Sequence, residues 1–222
     1  MEISMAELLP PEAVSAEAWS DNPSASALLY PEERAQLGPA VESRLQEFAT
    51  TRSLARQALG RLGLPGMPIL RGSSREPLWP SGIVGSITHC TGYRAAAVAW
   101  SASLGTLGID AERDEALPPE VIESVLVPEE IAWIKSAPER RCWDRVLFSA
   151  KESVYKAWFP LTHRWLDFTQ VAVSIDAAEG TFRVHPLISL PEEAVLILKQ
   201  LSGRFLLGGG IVLTAAFLRQ ES

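Results

Sequence analysis

Two short stretches place charge where the surrounding pattern calls for core. "LFSAKESVYKAWF" at 147–159 sets Lys151, Glu152 and Lys156 inside an apolar, aromatic-rich run, and "LGIDAERD" at 107–114 does the same with Asp110 and Glu112. In a strand, alternate side chains share a face, so Asp110 and Glu112 point one way while Ile109 and Ala111 turn to the core. Two carboxylates so placed repel each other unless a divalent cation lies between them. An all-oxygen donor set favours Mg²⁺, with Mn²⁺ as the substitute, over softer transition metals. The competing reading makes "AERDE" the solvated end of a strand.

On a helix, Leu147, Ala150, Val154 and Trp158 form an inward stripe, and Glu152 and Lys156 share another face as i,i+4 neighbours. As a plain surface ion pair they would contribute about 0.3–0.5 kcal/mol. Phe148, Tyr155 and Phe159 crowd the same turns, which is unusual for a solvated face. A third carboxylate beside an ammonium suits a Mg²⁺-bound pyrophosphate, with the ion neutralising bridging oxygens and Lys156 stabilising charge on the leaving phosphate.

Basic residues fall where such a ligand needs them. Arg44, Arg52 and Arg56 lie in one helical segment, and Arg71 and Arg75 in the loop "RGSSREPLWP". Stacked like charges are mildly destabilising on a helix unless an anion joins them, and the guanidinium fork is well shaped for phosphate. The alternative is solvated arginine balanced by Glu42 and Glu47. "SITHC" ends a strand with Thr88 and His89, a hydroxyl and an imidazole that can donate to phosphate oxygens. His163 and His185 read as structural. Cys90 follows His89, but no second cysteine or histidine stands at zinc-like spacing. Cys90 and Cys142 read as free thiols of a reducing compartment.

These residues need a scaffold. Residues 1–39, punctuated by Pro10, Pro11, Pro23, Pro31 and Pro39, read as short helical pieces. Val41, Leu45, Phe48, Leu54, Ala58 and Leu62 recur near helical spacing and predict a helix over 40–62, stopped by Gly63 and Pro65. Residues 63–82 read as loop. "IVGSIT", "YRAAAVAW" and "TLGIDAE" read as strands, the last two joined through "SASLG" as a hairpin. In the second half, "LPPEVIESVLVPEEIAWIKSA" gives two helical pieces broken at Pro128, and a long helix over 142–158 is ended by Pro160. "FTQVAVSI", "TFRVHPL" and "GIVLTAAFL" are strand-like. Each half thus runs helix first, then about three strands. "GYRAAAVAW" echoes "GGIVLTAAFL", as an internal duplication would.

A chain of 222 residues, 47% hydrophobic, can bury one large core or two small lobes. A formal net charge of −7 argues against a nucleic-acid surface. No apolar run reaches the ~18 residues of a spanning helix. The opening "MEISMAELLPPEAV" lacks the basic start and long apolar stretch of a signal peptide, so the cytoplasm is expected.

"GSITHCTGY", "GIDAE" and "FSAKESVYKAW", in this order and spacing, resemble the three motifs of 4'-phosphopantetheinyl transferases of the Sfp/EntD type. "VESRLQEFATTRSLARQALGRLG", "ILRGSSREPLWP", "YKAWFPLTHRWLDF" and "GIVLTAAFL" are similar to the actinobacterial PptT-like branch, and the resemblance covers about residues 28–218. It implies an α+β fold of two similar helix-plus-three-strand lobes in a pseudo-twofold arrangement, residues 1–105 and 106–222, with the active site in the cleft between them. The implied reaction transfers the 4'-phosphopantetheine arm of coenzyme A to a serine of an apo acyl or peptidyl carrier protein and releases adenosine 3',5'-bisphosphate. Carriers of polyketide synthases, peptide synthetases and fatty-acid synthesis are the implied partners, and a monomer is expected. By the same resemblance Asp110, Glu112 and Glu152 hold Mg²⁺, and Lys156 contacts the coenzyme A phosphates. His89 with Thr88 meets the adenosine 3'-phosphate, Arg44, Arg52 and Arg71 are basic contacts, and Arg56 and Arg75 assist them. Ala111, by its backbone, and Leu166 line the coenzyme A site. Thr88 stands where many members have Ser. The serine proton would pass to Glu152 directly or through a metal-bound water. An acidic carrier cannot dock on a −7 chain by bulk attraction, so a local patch around Val121, Leu126 and Ile131 is expected to receive it. A Mg²⁺ enzyme for another nucleotide pyrophosphate and a non-catalytic coenzyme A or carrier-binding module are the rival readings.

Overall fold

The computed structural model describes residues 3–137 and 141–220. The first part of the chain forms β1 (Ala13–Ala18), α1 (Pro31–Leu37), α2 (Glu42–Arg61), β2 (Leu70–Arg71), β3 (Pro77–Leu78), β4 (Ile83–Cys90), β5 (Tyr93–Trp100) and β6 (Leu104–Arg113). The rest forms α3 (Pro119–Val125), α4 (Pro128–Ser136), α5 (Trp143–Thr162), β7 (Val171–Asp176), β8 (Thr181–Pro186), α6 (Glu192–Gln200), β9 (Ser202–Gly208) and β10 (Ile211–Arg219). Two main sheets result, in the orders β1-β5-β4 and β6-β10-β9-β8-β7, with β2 and β3 as a separate short pair.

The molecule is layered helix, sheet, sheet, helix. Leu54, Ala55, Ala58 and Leu59 of α2 pack on Ala16, Ile83, Ala96 and Val98 of the first sheet. The opposite face of that sheet, Tyr93, Ala95 and Ala97, meets Leu107, Ile109 and Ala111 of β6 and Ile211, Leu213 and Ala215 of β10. Behind the second sheet, Leu147, Ala150, Val154 and Trp158 of α5, all fully buried, close a third core. Each such large apolar side chain contributes roughly 1.5–3 kcal/mol by leaving water. The α+β class and the inward stripe of α5 are as the sequence predicts.

Several expectations fail for identifiable reasons. The hairpin is β4–β5, closed at Cys90 and Tyr93, and β6 instead pairs with β10, Asp110 lying opposite Thr214. Both faces of β6 are buried, one in the inter-sheet core and one under α5, so it needs cover on two sides. Gly108 makes that cover close, since a Cβ there would sit 2.0 Å from the Ser153 carbonyl oxygen and 2.6 Å from the Ala157 nitrogen. Residues 1–39 are not only helical, because "AVSAEA", weak in strand formers, is recruited as an edge strand by β5. The second sheet has five strands rather than three. Residues 63–82 include the β2–β3 pair. Pro160 does not end α5, which runs on to Thr162. A proline so close to the end forfeits a single bond of the final turn, and the His163 N–H still donates to the Phe159 carbonyl at 2.8 Å.

Candidate active site

Asp110 is 4% exposed at the seam where β6 meets α5 and β4. Lys156 Nζ donates to its Oδ1 at 2.6 Å and Ser149 Oγ to its Oδ2 at 2.8 Å. Thr88 Oγ1 donates to Oδ1 at 3.3 Å while accepting the Ala111 N–H at 2.9 Å. Burial acts to lower the Lys156 pKa, but Asp110 and Glu152 outweigh it and the ammonium is held above its ordinary range. The charge on Lys156 is therefore permanent near neutral pH.

Glu112 projects two residues on and is held by Arg145 Nη1 at 3.0 Å. Burial first, and then Asp110, push its pKa up to about 7 against the pull of Arg145 and Lys156. Burial likewise raises Glu152, with Lys156 opposing and Asp110 adding. Among the described residues Glu152 makes no hydrogen bond and no ion pair. No three acidic, imidazole or thiol side chains of the described residues close on one point, because Asp110 faces Lys156 and Glu112 faces Arg145. The donor chemistry still fits a hard divalent cation: three part-buried or buried carboxylates, two of them raised by burial and by Asp110, one without a partner.

A second feature lies across β4. A hollow of about 160 Å³ is lined by Arg44, Phe48, Arg52, Arg71, Arg75 and His89. Arg52 is 5% exposed, stacked 4.5 Å from the Phe48 ring centroid, and its Nε has no partner among the described residues. Burial lowers its pKa to about 10; Glu33 opposes, and Arg71, Arg56 and Arg44 add to the lowering. Arg71 lies over the other part of the Phe48 surroundings, 5.0 Å from the centroid, and donates to the Gln36 carbonyl at 2.7 Å. Arg44 pairs with Glu47, whose Oε1 is also 3.4 Å from His89 Nε2. The His89 pKa is lowered by burial, with Glu47 opposing and Arg44, Lys156 and Arg94 assisting.

Three expectations about the basic and polar residues need correction. Arg56 is not available to an anion in this hollow: its Nη1 is held by both oxygens of fully buried Glu33, at 2.8 and 3.0 Å, and its Nη2 by the Leu28 carbonyl. Thr88 and His89, being successive residues of a strand, point to opposite faces, so Thr88 braces Asp110 while His89 alone faces the arginines. The Ala111 N–H is taken by Thr88 rather than turned to a ligand. Of the patch around Val121, Leu126 and Ile131, Leu126 is 3% exposed and Val121 and Ile131 are partly buried against the core, while Leu126 and Ile131 also line a hollow of about 560 Å³ with Glu123, Pro128 and Lys135.

Arg75, exposed and with a left-handed φ of 70°, stands at the lip where the arginine hollow meets a cavity of about 450 Å³. Pro77 and Ile87 are common to both, and the cavity continues along α5 past Lys156, Glu152 and Tyr155. Beyond Glu152 and Tyr155 opens a further hollow of about 610 Å³ with Trp165, Leu166 and Phe168 in its wall. Adjoining hollows thus run from the arginines past Lys156 and the unpaired Glu152 to an aromatic recess, with Asp110 behind Lys156.

Sequence reasoning assigned no role to Ser149, Thr214 or Arg145, and noted Lys151 only as a charge. Ser149 could have been found by spacing, because 149, 152 and 156 share a helix face. Lys151 is wholly buried and donates to Val125 O, Glu130 Oε2 and Phe168 O, each at 2.8 Å. An ammonium placed directly in an apolar run is the only local signal of that role.

Comparison with known proteins identifies the family. The family described as the 4'-phosphopantetheinyl transferase N-terminal domain matches residues 32–99, and the 4'-phosphopantetheinyl transferase superfamily matches residues 106–203. The chain is 48% identical over 215 residues to 4'-phosphopantetheinyl transferase Svp of Streptomyces mobaraensis, covering 95% of this chain and 87% of that protein. It is 42% identical over 208 residues to 4'-phosphopantetheinyl transferase PptT of Mycobacterium tuberculosis, covering 91% of each. With 4'-phosphopantetheinyl transferase Npt of Nocardia iowensis it shares 41% over 207 residues, 86% of this chain and 93% of that one. The chain belongs to the 4'-phosphopantetheinyl transferase superfamily.

Proposed function

We propose that the protein transfers the 4'-phosphopantetheine group of coenzyme A to a serine of an apo carrier protein, in a cleft between lobes divided near residue 105. The observation that carries this is Arg52, a buried guanidinium whose Nε has no partner among the described residues, in a hollow that shares Arg75, Pro77 and Ile87 with the groove reaching Lys156 and Glu152. A buried cation left unsatisfied is costly, and a phosphate monoester such as that of the adenosine 3' position satisfies it, with Arg44, Arg71 and His89 around it.

Asp110, Glu112 and Glu152 would hold the cation, Mg²⁺ or Mn²⁺, which when bound neutralises the pyrophosphate oxygens. Lys156 stays protonated and stabilises charge on the departing adenosine 3',5'-bisphosphate. Glu152 makes no hydrogen bond or ion pair among the described residues and burial raises its pKa, so it can take the proton of the carrier serine directly or through a water. The serine oxygen then forms its bond to the β-phosphorus as the bridging P–O bond breaks. The recess at Trp165, Leu166 and Phe168 accommodates the pantetheine arm. Positioning and charge neutralisation supply the rate. No helix of the described residues is long and apolar enough to cross a membrane, and a monomer acting in the cytoplasm is the reading we adopt.

The test is intact-mass measurement of an apo carrier protein incubated with enzyme, coenzyme A and Mg²⁺. A gain of one phosphopantetheine is expected, and its absence over a panel of acyl and peptidyl carriers overturns the proposal. Glu152→Gln is expected to lower transfer by at least about 100-fold, in the range typical of a lost general base.

A further inference from the structure

We propose that Ser149, locked from behind by Thr214, is a positioning residue that aims the Asp110 carboxylate and fixes the spacing between strand β6 and helix α5 at the cation site. The inference rests on the cation-dependent reading above. Ser149 and Thr214 are both fully buried. Thr214 lies directly across from Asp110 in the β6–β10 ladder, and Ser149 stands one turn before Glu152 on α5. The two hydroxyls therefore join the three elements that carry or flank the site.

Counting protons shows which way the network runs. Thr214 Oγ1 lies 2.8 Å from the Ser149 carbonyl oxygen and 3.0 Å from Ser149 Oγ; Ser149 Oγ lies 2.8 Å from Asp110 Oδ2. A hydroxyl has one proton to give. The Ser149 carbonyl can only accept, and Thr214 is the hydroxyl that reaches it, so the Thr214 proton is committed there. The Ser149 proton then goes to Asp110, where the bond is charge-assisted and the stronger choice. Among the described residues Ser149 is the sole donor to Oδ2, while Oδ1 takes Lys156 and Thr88. Without Ser149 the carboxylate keeps its charge partner but can turn about its terminal bond. Thr214 acts one step further back, since its removal leaves the Ser149–Asp110 bond intact. That difference separates aiming from mere packing.

The experiment compares Ser149→Ala and Ser149→Cys with Thr214→Val in the full-length protein. Mn²⁺ is titrated in the presence of coenzyme A and followed by electron paramagnetic resonance, with melting temperature measured alongside. Both Ser149 variants are expected to weaken Mn²⁺ binding about tenfold and to raise the Mg²⁺ needed for half-maximal transfer by the same factor. Thr214→Val is expected to lower the melting temperature while leaving Mn²⁺ affinity within twofold. Ser149→Cys keeps the side-chain volume but donates weakly, so it carries the test if Ser149→Ala does not fold. Unchanged Mn²⁺ affinity in the Ser149 variants, or equal weakening in Thr214→Val, overturns the inference and leaves the transferase reading standing. If the parent protein neither binds Mn²⁺ nor modifies a carrier, the transferase reading itself fails and takes the inference with it.

Discussion

Arg52 and Glu112 are two side chains whose charge the protein holds at a disadvantage. Arg52 gains a ring contact but, among the described residues, no hydrogen bond, amid three other arginines. Replacing it with Ala should relieve like-charge repulsion and leave the melting temperature close to the parent's. It should weaken coenzyme A binding about 10- to 100-fold, as loss of a charged hydrogen bond worth roughly 1.5–3 kcal/mol implies. Thermal denaturation checks the first half of that claim and isothermal titration with coenzyme A the second. Glu112 provides a pH signature. Its pKa rises from 4.5 to about 7 on folding, chiefly through burial, so between those values the folded chain binds more protons than the unfolded one. Its contribution is then fully present below the unfolded pKa and is lost as pH rises through 7, by on the order of 3 kcal/mol at most. A cation bound there reverses the penalty. Denaturation curves should show Mg²⁺ stabilising the protein more at pH 8 than at pH 5.5, and Glu112→Gln should remove most of that difference.

At the scale of elements, the site depends on how closely α5 lies on β6 and on what stops α5 from sliding. Gly108→Ala would drive a methyl into the Ser153 carbonyl and the Ala157 nitrogen, both backbone atoms that cannot step aside. The helix must move off the strand, separating Lys156 from Asp110. Loss of transfer together with a melting temperature lower by several degrees is expected, and Gly108→Ser should do no better. Lys151 secures the other side of α5, tying it to the end of α3, to Glu130 of α4 and to Phe168 in the recess wall. Lys151→Met leaves the Glu130 carboxylate buried without its cation, which costs about 3–5 kcal/mol. Urea denaturation measures that loss directly. Periodicity made α2, α4 and α5 legible, because their apolar stripes are local patterns. It could not reveal β1, whose "AVSAEA" has little strand preference of its own, nor the partner of β6, since pairing is decided by burial on both faces. At the site, charge inside an apolar run marked Asp110, Glu152 and Lys156. The contacts of Ser149 and Lys151 depend on atoms distant in sequence, and the hold of Glu33 on Arg56 spans 23 residues.

Across the whole molecule, the arginine hollow is built on α2 and the β2–β4 region, while the carboxylates sit on β6 and α5. Neither group alone holds a molecule with phosphates at both ends of a nucleoside. A specific hydrogen-bonded link crosses the seam: Thr88 of β4 holds both the Asp110 carboxylate and the Ala111 N–H of β6. A ligand lying along the groove adds a second link, and binding only to the folded state stabilises by RT ln(1 + [L]/Kd), about 2.7 kcal/mol at a hundredfold excess over Kd. The phosphate at the arginine end should carry a separable share of that effect. Coenzyme A with Mg²⁺ is therefore expected to raise the melting temperature more than 3'-dephospho-coenzyme A with Mg²⁺. In Arg52→Ala the two ligands should become nearly equivalent, because the removed phosphate and the removed guanidinium are partners whose losses do not add. Equal shifts for the two ligands in the parent protein would mean that the hollow binds something other than this phosphate, and the two ends of the groove would have to be read as unrelated.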